Sequence, residues 1–218
     1  MAIVKDIDFD RPIAAGPPDL WTRTTLTPLC AGDAELIWRW QNDPRLRDLT
    51  MGFRLPIQKG AVDDWIVSLR DRKDRAVFGA RLDGDLVGLF QLFGIDWLHR
   101  SAEFGIFLGD THGTRGPDVA WVAGLLTLDY GFSALNLHRI ALRTLGINAP
   151  IVRLARRAGF QPEGVLRRDY FADGRYWDTH LYAMFPEELA VRLPREANRL
   201  CRRMRDPRPA RPDQPALA

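Results

Sequence analysis

"GTRGPDVAWV", residues 113–122, stands between "AEFGIFLG" (102–109), an apolar run that reads as a strand, and residues 119–133, an apolar run that reads as a long helix. A strand–loop–helix passage of this kind gathers free backbone N–H groups at a helix start and aims them at an anion. Arg115 and Gly116 suit that use. Pro117 and Asp118 do not. Proline has no N–H to donate, and an aspartate adds negative charge where a phosphate would sit. The stretch reads as a phosphate cradle, a damaged one, or one retuned for a different ligand.

Outward from this stretch the chain alternates between strand and helix patterns. Upstream, "TTLTPL" (24–29) predicts a first strand, and "DAELIWRWQND" (33–43) a helix that stops at Asn42–Asp43–Pro44. "KGAVDDWIVSLRDR" (59–72) predicts a second amphipathic helix. In "RAVFGARLDGDLVGLFQLFGI" (75–95) two β-type runs flank Asp83–Gly84–Asp85, a hairpin signal. Downstream, "HRIALRTL" (138–145) predicts a strand and "APIVRLARRAG" (149–159) a helix ended by Gly159. Residues 160–185 predict two strands joined at Asp173–Gly174. The fold class expected is α/β, with a mixed sheet flanked by helices.

At 218 residues, 46% of them hydrophobic, the chain suits one domain with an ordinary core. Residues 1–23 are expected to be irregular, 24–185 to form the domain, 186–205 a basic helix and 206–218 a disordered Pro-rich tail. The net charge is +3, and from Arg195 onward seven arginines face three acids, so the body is near neutral. Cys30 and Cys201 follow no ligand spacing and read as reduced thiols, so no metal is expected. No apolar run approaches the ~20 residues needed to span a bilayer. No membrane partner and a cytoplasmic location are expected.

Five local patterns, in order, resemble the GCN5-related N-acetyltransferases (GNAT), in the branch of ribosomal-protein alanine, spermidine and amino-sugar acetyltransferases. They are Trp40 with Asn42–Asp43–Pro44, "AEFGIFLG", "LDYGFSALNLHRIALR" (128–143), "NAPIVRLARRAGF" (148–160) and "FADGRYWDTHLYAM" (171–184). The resemblance implies a central sheet splayed between its fourth and fifth strands. It also implies acyl transfer from acetyl-coenzyme A, or another acyl-coenzyme A, to an amine. The pantetheine arm would lie along the fourth strand at Phe104, Ile106 and Leu108. The pyrophosphate would meet the loop at Arg115, Gly116, Val119 and Ala120. Asn148 matches an asparagine that bonds the pantetheine arm. Asp118 stands where the family's loop has a glycine, and Ala155 where members often carry a tyrosine that protonates the leaving thiolate.

Acyl transfer to an amine needs a neutral amine, a place for the oxyanion and a proton for the thiolate. Glu103, at the start of the fourth strand where the resembled family often holds a glutamate near the amine, is the candidate base; the alternative is a structural carboxylate. Asp96, Trp97 and Asp178 are the candidate acceptor residues, since carboxylates suit a cationic amine; ordinary polar surface explains them as well. The acceptor is expected to be a small-molecule amine or a protein N-terminus. A thioester carried on the phosphopantetheine of an acidic carrier protein would avoid the altered cradle, and the Arg-rich tail would complement its charge. A non-catalytic ligand-binding role is the third alternative. Nucleic acid is not an expected partner, because the tail lacks interleaved aromatics; a homodimer is. Removal of residues 206–218 is expected to leave the melting temperature unchanged, since Pro-rich polar ends bury little. A drop of several degrees would show that they pack on the body.

Overall fold

The structure, a computed structural model, describes residues 18–47, 51, 55–109, 116–172 and 174–190. The tail beyond 190, the segment before residue 18, and Arg115 and Asp173 lie outside the described residues. Helix α1 is Pro18–Arg23 and strand β1 Thr24–Thr27. A 3-10 turn, Ala31–Asp33, leads into α2 (Ala34–Asn42), followed by α3 (Pro44–Arg47) and α4 (Lys59–Ser68). Strands β2 (Arg75–Leu82), β3 (Asp85–Asp96) and β4 (Ser101–Leu108) come next. Helix α5 (Gly116–Asp129) runs into a π turn, Tyr130–Ala134, and is followed by β5 (Arg139–Leu145) and α6 (Ala149–Ala158). Strands β6 (Gln161–Ala172) and β7 (Arg175–Met184) and the short α7 (Pro186–Ala190) complete the described chain.

Among the described residues seven strands form one sheet in the order β1-β2-β3-β4-β5-β7-β6. All neighbours are antiparallel except β4 and β5. The β2–β3 hairpin turns on Asp83 and Gly84, with φ of 54° and 97°. That is the left-handed pair a two-residue turn needs to match strand twist, and glycine adopts it without strain. Helix α6 ends at Gly159 with φ 103°, as the sequence predicts.

The two sheet faces bury different things. On the rear face α5 and α6 pack over Phe90, Leu92, Phe104, Ile140 and Leu142. Leu125 and Leu128 of α5 are fully buried there, which is why that helix is apolar all round rather than striped. On the front face α2 and α4 bring Ile37, Trp40 and Val62 against Leu86, Leu89 and Phe107. Asn42 fixes α2 to the segment before α4: its amide donates to the Ile57 carbonyl at 2.9 Å and its Oδ1 accepts the Ile57 N–H at 3.0 Å. Trp40 lies across Gly109 at the end of β4, and a Cβ there would fall inside the indole ring.

One expectation is corrected. Residues 18–23, read as irregular, form a helix whose Leu20 and Trp21 are buried in the rear core. The Pro/Gly break before it masks the start, because Pro18 is itself the first helical residue, where proline is favoured. The long helix also begins earlier than expected, at Gly116, and gives way to the π turn at Tyr130.

A buried ion pair ties the front helices to the sheet. The Arg81 guanidinium donates to both Asp33 oxygens, at 2.7 and 2.8 Å, and Asp33 also accepts the Cys30 N–H at 2.9 Å. Burial alone would raise the Asp33 carboxyl; the Cys30 amide and the Arg81 charge together hold it below its usual value. Arg81→Met leaves that carboxylate buried without its cation and is expected to cost about 3 kcal/mol. Because the folded-state value is depressed, the contribution is complete above the unfolded value near ~4 and fades as pH falls through the folded one. Chemical unfolding of both proteins from pH 7 downward checks this. A gap that stays constant below pH ~4 contradicts it.

Candidate active site

Strand β4 pairs with β5 at only three positions, Ser101↔Arg139, Ala102↔Ile140 and Glu103↔Ala141. Beyond them β4 remains bonded to β3 as far as Leu108, and β5 remains bonded to β7 as far as Leu145. The sheet is therefore whole on either side and forked in the middle. From Phe104 onward the β5-facing edge of β4 carries backbone N–H and C=O groups with no strand partner, and such groups need one. An extended ligand with amides of its own can supply it. This is the splayed sheet that the family resemblance implies, and Phe104, Ile106 and Leu108 lie on its open limb.

Behind the fork, between the rear face and the two helices, lies a small apolar crevice of about 20 Å³. Phe104 and Leu142 line it from the strands, Gly124, Leu125 and Leu128 from α5, and Ala155 from α6. Phe160, just after α6, stacks on Phe104 with ring centroids 6.3 Å apart. Ala120 lines the same space, and Val119 is buried beside it in the core.

The open end of the fork points to the start of α5. Gly116 begins the helix, Pro117 brings no N–H, and Asp118 sits in the first turn. The Asp118 carboxylate is not alone. Arg157 of α6 lies over the Trp121 ring, 4.8 Å from its centroid, one turn further along α5. Burial pushes the Arg157 guanidinium down, and Asp118 opposes that shift. A carboxylate at a helix N-terminus is favourable in itself, and here a cation from the neighbouring helix offsets its charge. Asn148 stands at the tip of the other limb. It is 7% exposed and caps α6, its Oδ1 accepting the Ile151 N–H at 3.3 Å.

Glu103 occupies the last paired position, at the vertex. Its neighbours in register are Phe93 on β3 and Ala141 on β5. Alternation along the strands puts it on the front face, opposite Phe104. Arg143, two residues beyond Ala141, shares that face. Burial pushes the Glu103 carboxyl up, and the Arg143 charge partly offsets this. Among the described residues no hydrogen bond fixes the Glu103 carboxylate. Arg143 is itself held by Asp169 of β6, at 3.4 Å. The side chain of Gln91 lies against Gly105, so the front of the fork is bounded by Gln91, Phe93, Glu103, Arg143 and Asp169.

The three acceptor candidates fall elsewhere. Asp96 and Trp97 belong to the β3–β4 turn, at the closed end of the fork. Asp96 accepts the His99 N–H at 2.8 Å and also meets its ring, while Trp97 donates to the Lys73 carbonyl at 2.8 Å. Both are engaged in holding the turn. The Asp178 carboxylate accepts the Arg168 N–H at 2.8 Å across the β6–β7 hairpin. It secures a bulge in which Arg168 has φ 53°. Arg143, Asp169, Gln91, Trp121 and Arg157 are the residues of the fork that sequence reasoning passed over. For Arg143 a signal existed, since the alternation of "HRIALRTL" puts it on the face of Ala141.

Comparison with known proteins agrees with this geometry. The family described as the acetyltransferase (GNAT) domain matches residues 23–161. Spermidine N(1)-acetyltransferase of Vibrio cholerae is 36% identical over 111 residues, which cover 51% of this chain and 63% of that protein. The chain thus spans less than two thirds of the length of that curated relative. The crystal structure of spermidine N-acetyltransferase from Vibrio cholerae in complex with CoA and spermine superposes with a TM-score of 0.71 at 27% identity, over 78% of this chain and 99% of that one. A dodecameric structure of the Vibrio cholerae enzyme superposes with a TM-score of 0.67 at 28% identity, over 79% of this chain and 99% of that one. A forked sheet with a carboxylate at its vertex, matched by this family over most of its length, makes the chain a member of the GNAT acetyltransferases.

Proposed function

We propose that the protein transfers an acyl group from an acyl-coenzyme A to a primary amine, with the fork as the donor site and Glu103 as the base. The observation that carries this reading is Glu103 at the vertex, half-buried, beside unpaired backbone of β4. The donor's pantetheine amides bond to the open edge of β4, and its phosphates meet the start of α5. The amine approaches from the front face. Glu103 takes a proton from it, directly or through one water. The neutral amine nitrogen then attacks the thioester carbonyl, forming the C–N bond and giving up its second proton to solvent, and the C–S bond breaks with its electron pair leaving on sulfur. Ala155 has no proton to give, and none is required: a thiol near pKa 8.5 leaves as the thiolate and is protonated by solvent.

Free acyl-coenzyme A is the donor in this reading. CoA in the superposed Vibrio cholerae structure supports it over a carrier-bound thioester, and the basic tail that would meet a carrier lies outside the described residues. Spermine in the same structure makes a polyamine the first acceptor to test. Self-association belongs to the proposal too, supported by the dodecameric neighbour and measurable by light scattering.

Glu103→Gln is expected to lower kcat by about 10²- to 10⁴-fold while the unfolding curve is unchanged. Turnover within about twofold of the parent removes Glu103 from the reaction. Because burial raises this carboxyl, the parent's kcat/KM should climb with pH through a value above ~4.3, and the variant's should lose that limb. Asp118→Asn is expected to tighten acetyl-coenzyme A binding by less than about tenfold, because Arg157 already offsets the charge at this helix start. Titration calorimetry checks it; a gain of a hundredfold or more means that Asp118 faces the phosphates directly.

A further inference from the structure

Two arginines flank the position opposite Glu103, and both turn away from it. The residue in register with Glu103 is Ala141, and Arg139 and Arg143 stand on either side of Ala141 on the same face of β5. Each reaches in the other direction, across β7, to an acid of β6. Arg143 meets Asp169 at 3.4 Å, and Arg139 meets Glu163. Beneath them β7 brings Ala183 and Leu181 to this face, and neither carries charge. On the other side of Glu103, β3 brings Phe93 and Gln91. Arg75 of β2 lies beyond Phe93 in the same row, 3.6 Å from Asp74. The Arg143 charge offsets the effect of burial on Glu103 only in part.

The place of Asp169 is not the one its strand would give it. Leu166 and Tyr170 pair with Thr179 and Trp177, which share the front face. Alternation from either end would put Asp169 on the rear. The bulge between them brings its carboxylate to Arg143 on the front, with Arg168 at φ 53° and the Arg168 N–H held by Asp178. A non-glycine residue in that region persists only where its surroundings hold it.

We propose that Asp169 and Glu163 are positioning residues. They draw Arg143 and Arg139 away from the vertex, so that Glu103 meets the amine as a carboxylate without an ion-pair partner. An opposite charge close by would favour the ionised carboxyl and weaken it as a base. The proposal rests on the reading of Glu103 as the base.

The test follows kcat/KM against pH with acetyl-coenzyme A and spermine. Beside it, carbon NMR of protein labelled at the glutamate carboxyl titrates Glu103 directly, with Glu103→Gln assigning the signal. Asp169→Asn is expected to move both curves to lower pH by about one pH unit, because Arg143 then turns to Glu103. Glu163→Gln is expected to move them the same way through Arg139, and it keeps the test valid if Asp169→Asn does not fold. Arg143→Met is expected to move them to higher pH. With Arg143→Met already in place, Asp169→Asn should add little. A full shift there means that Asp169 acts by its own charge, and it overturns the proposal. So do titrations that neither acid variant moves, since a merely structural role would lower stability and leave them in place. Turnover of Glu103→Gln at the parent's rate sinks the base reading instead, and the NMR titration still decides whether the two acids hold the arginines off.

Discussion

After Glu103 and Ala141, β4 and β5 stop bonding to each other, and the rest of the molecule is arranged around that parting. Two adjacent strands with unsatisfied backbone groups gain by closing up, since each unpaired N–H or C=O out of water costs about 1–3 kcal/mol. What holds them apart is packing on the rear face. Phe160 stacks on Phe104, and Leu125, Leu128 and Leu154 of α5 and α6 share the buried rear core with Phe104 and Leu142. The outer strands hold each limb straight, β3 along β4 and β7 along β5. The fork is thus a deficit of hydrogen bonds kept open by apolar burial. A ligand that brings amides relieves the deficit without moving the scaffold.

Much of this was legible in the sequence, because its signals are local. The Asp83–Gly84 turn, the Gly159 helix end and the period-2 alternation of 102–108 each depend on a few neighbouring residues. The order of elements then follows from the string of signals. The position of Glu103 at the vertex came from a family resemblance, since nothing local tells a strand where its partner will leave it.

The errors have the opposite character. Asp96 and Trp97 sit close to β4 in the chain but at its closed end; nearness along a strand says nothing about which end opens. Asp178 read as an acceptor carboxylate or as ordinary strand polarity, and the structure gives it a cross-strand hydrogen bond. Its partner is a backbone N–H exposed by a bulge ten residues earlier, and a bulge leaves no simple trace in alternation. For Asp118 the sequence left the phosphate reading open, because Arg157, whose charge it feels, lies on another helix. Charge compensation across a helix pair appears only once the helices are placed. The helix 18–23 was hidden by the Pro/Gly stretch in the sequence before it, since Pro18 is itself the first helical residue.

Trp40 and Gly109 have a consequence of another kind. The indole of α2 occupies the volume where residue 109 would carry a side chain, so each position is defined by the other. No side chain fits at 109 while the ring stands at 40. A chain that places even alanine at 109 must first give up the large ring at 40, and with it the seam that joins the front helices to the end of β4. The two residues are sixty-nine positions apart, and they meet where the chain leaves β4. A side chain at the end of β4 is thus excluded from α2, through a single ring.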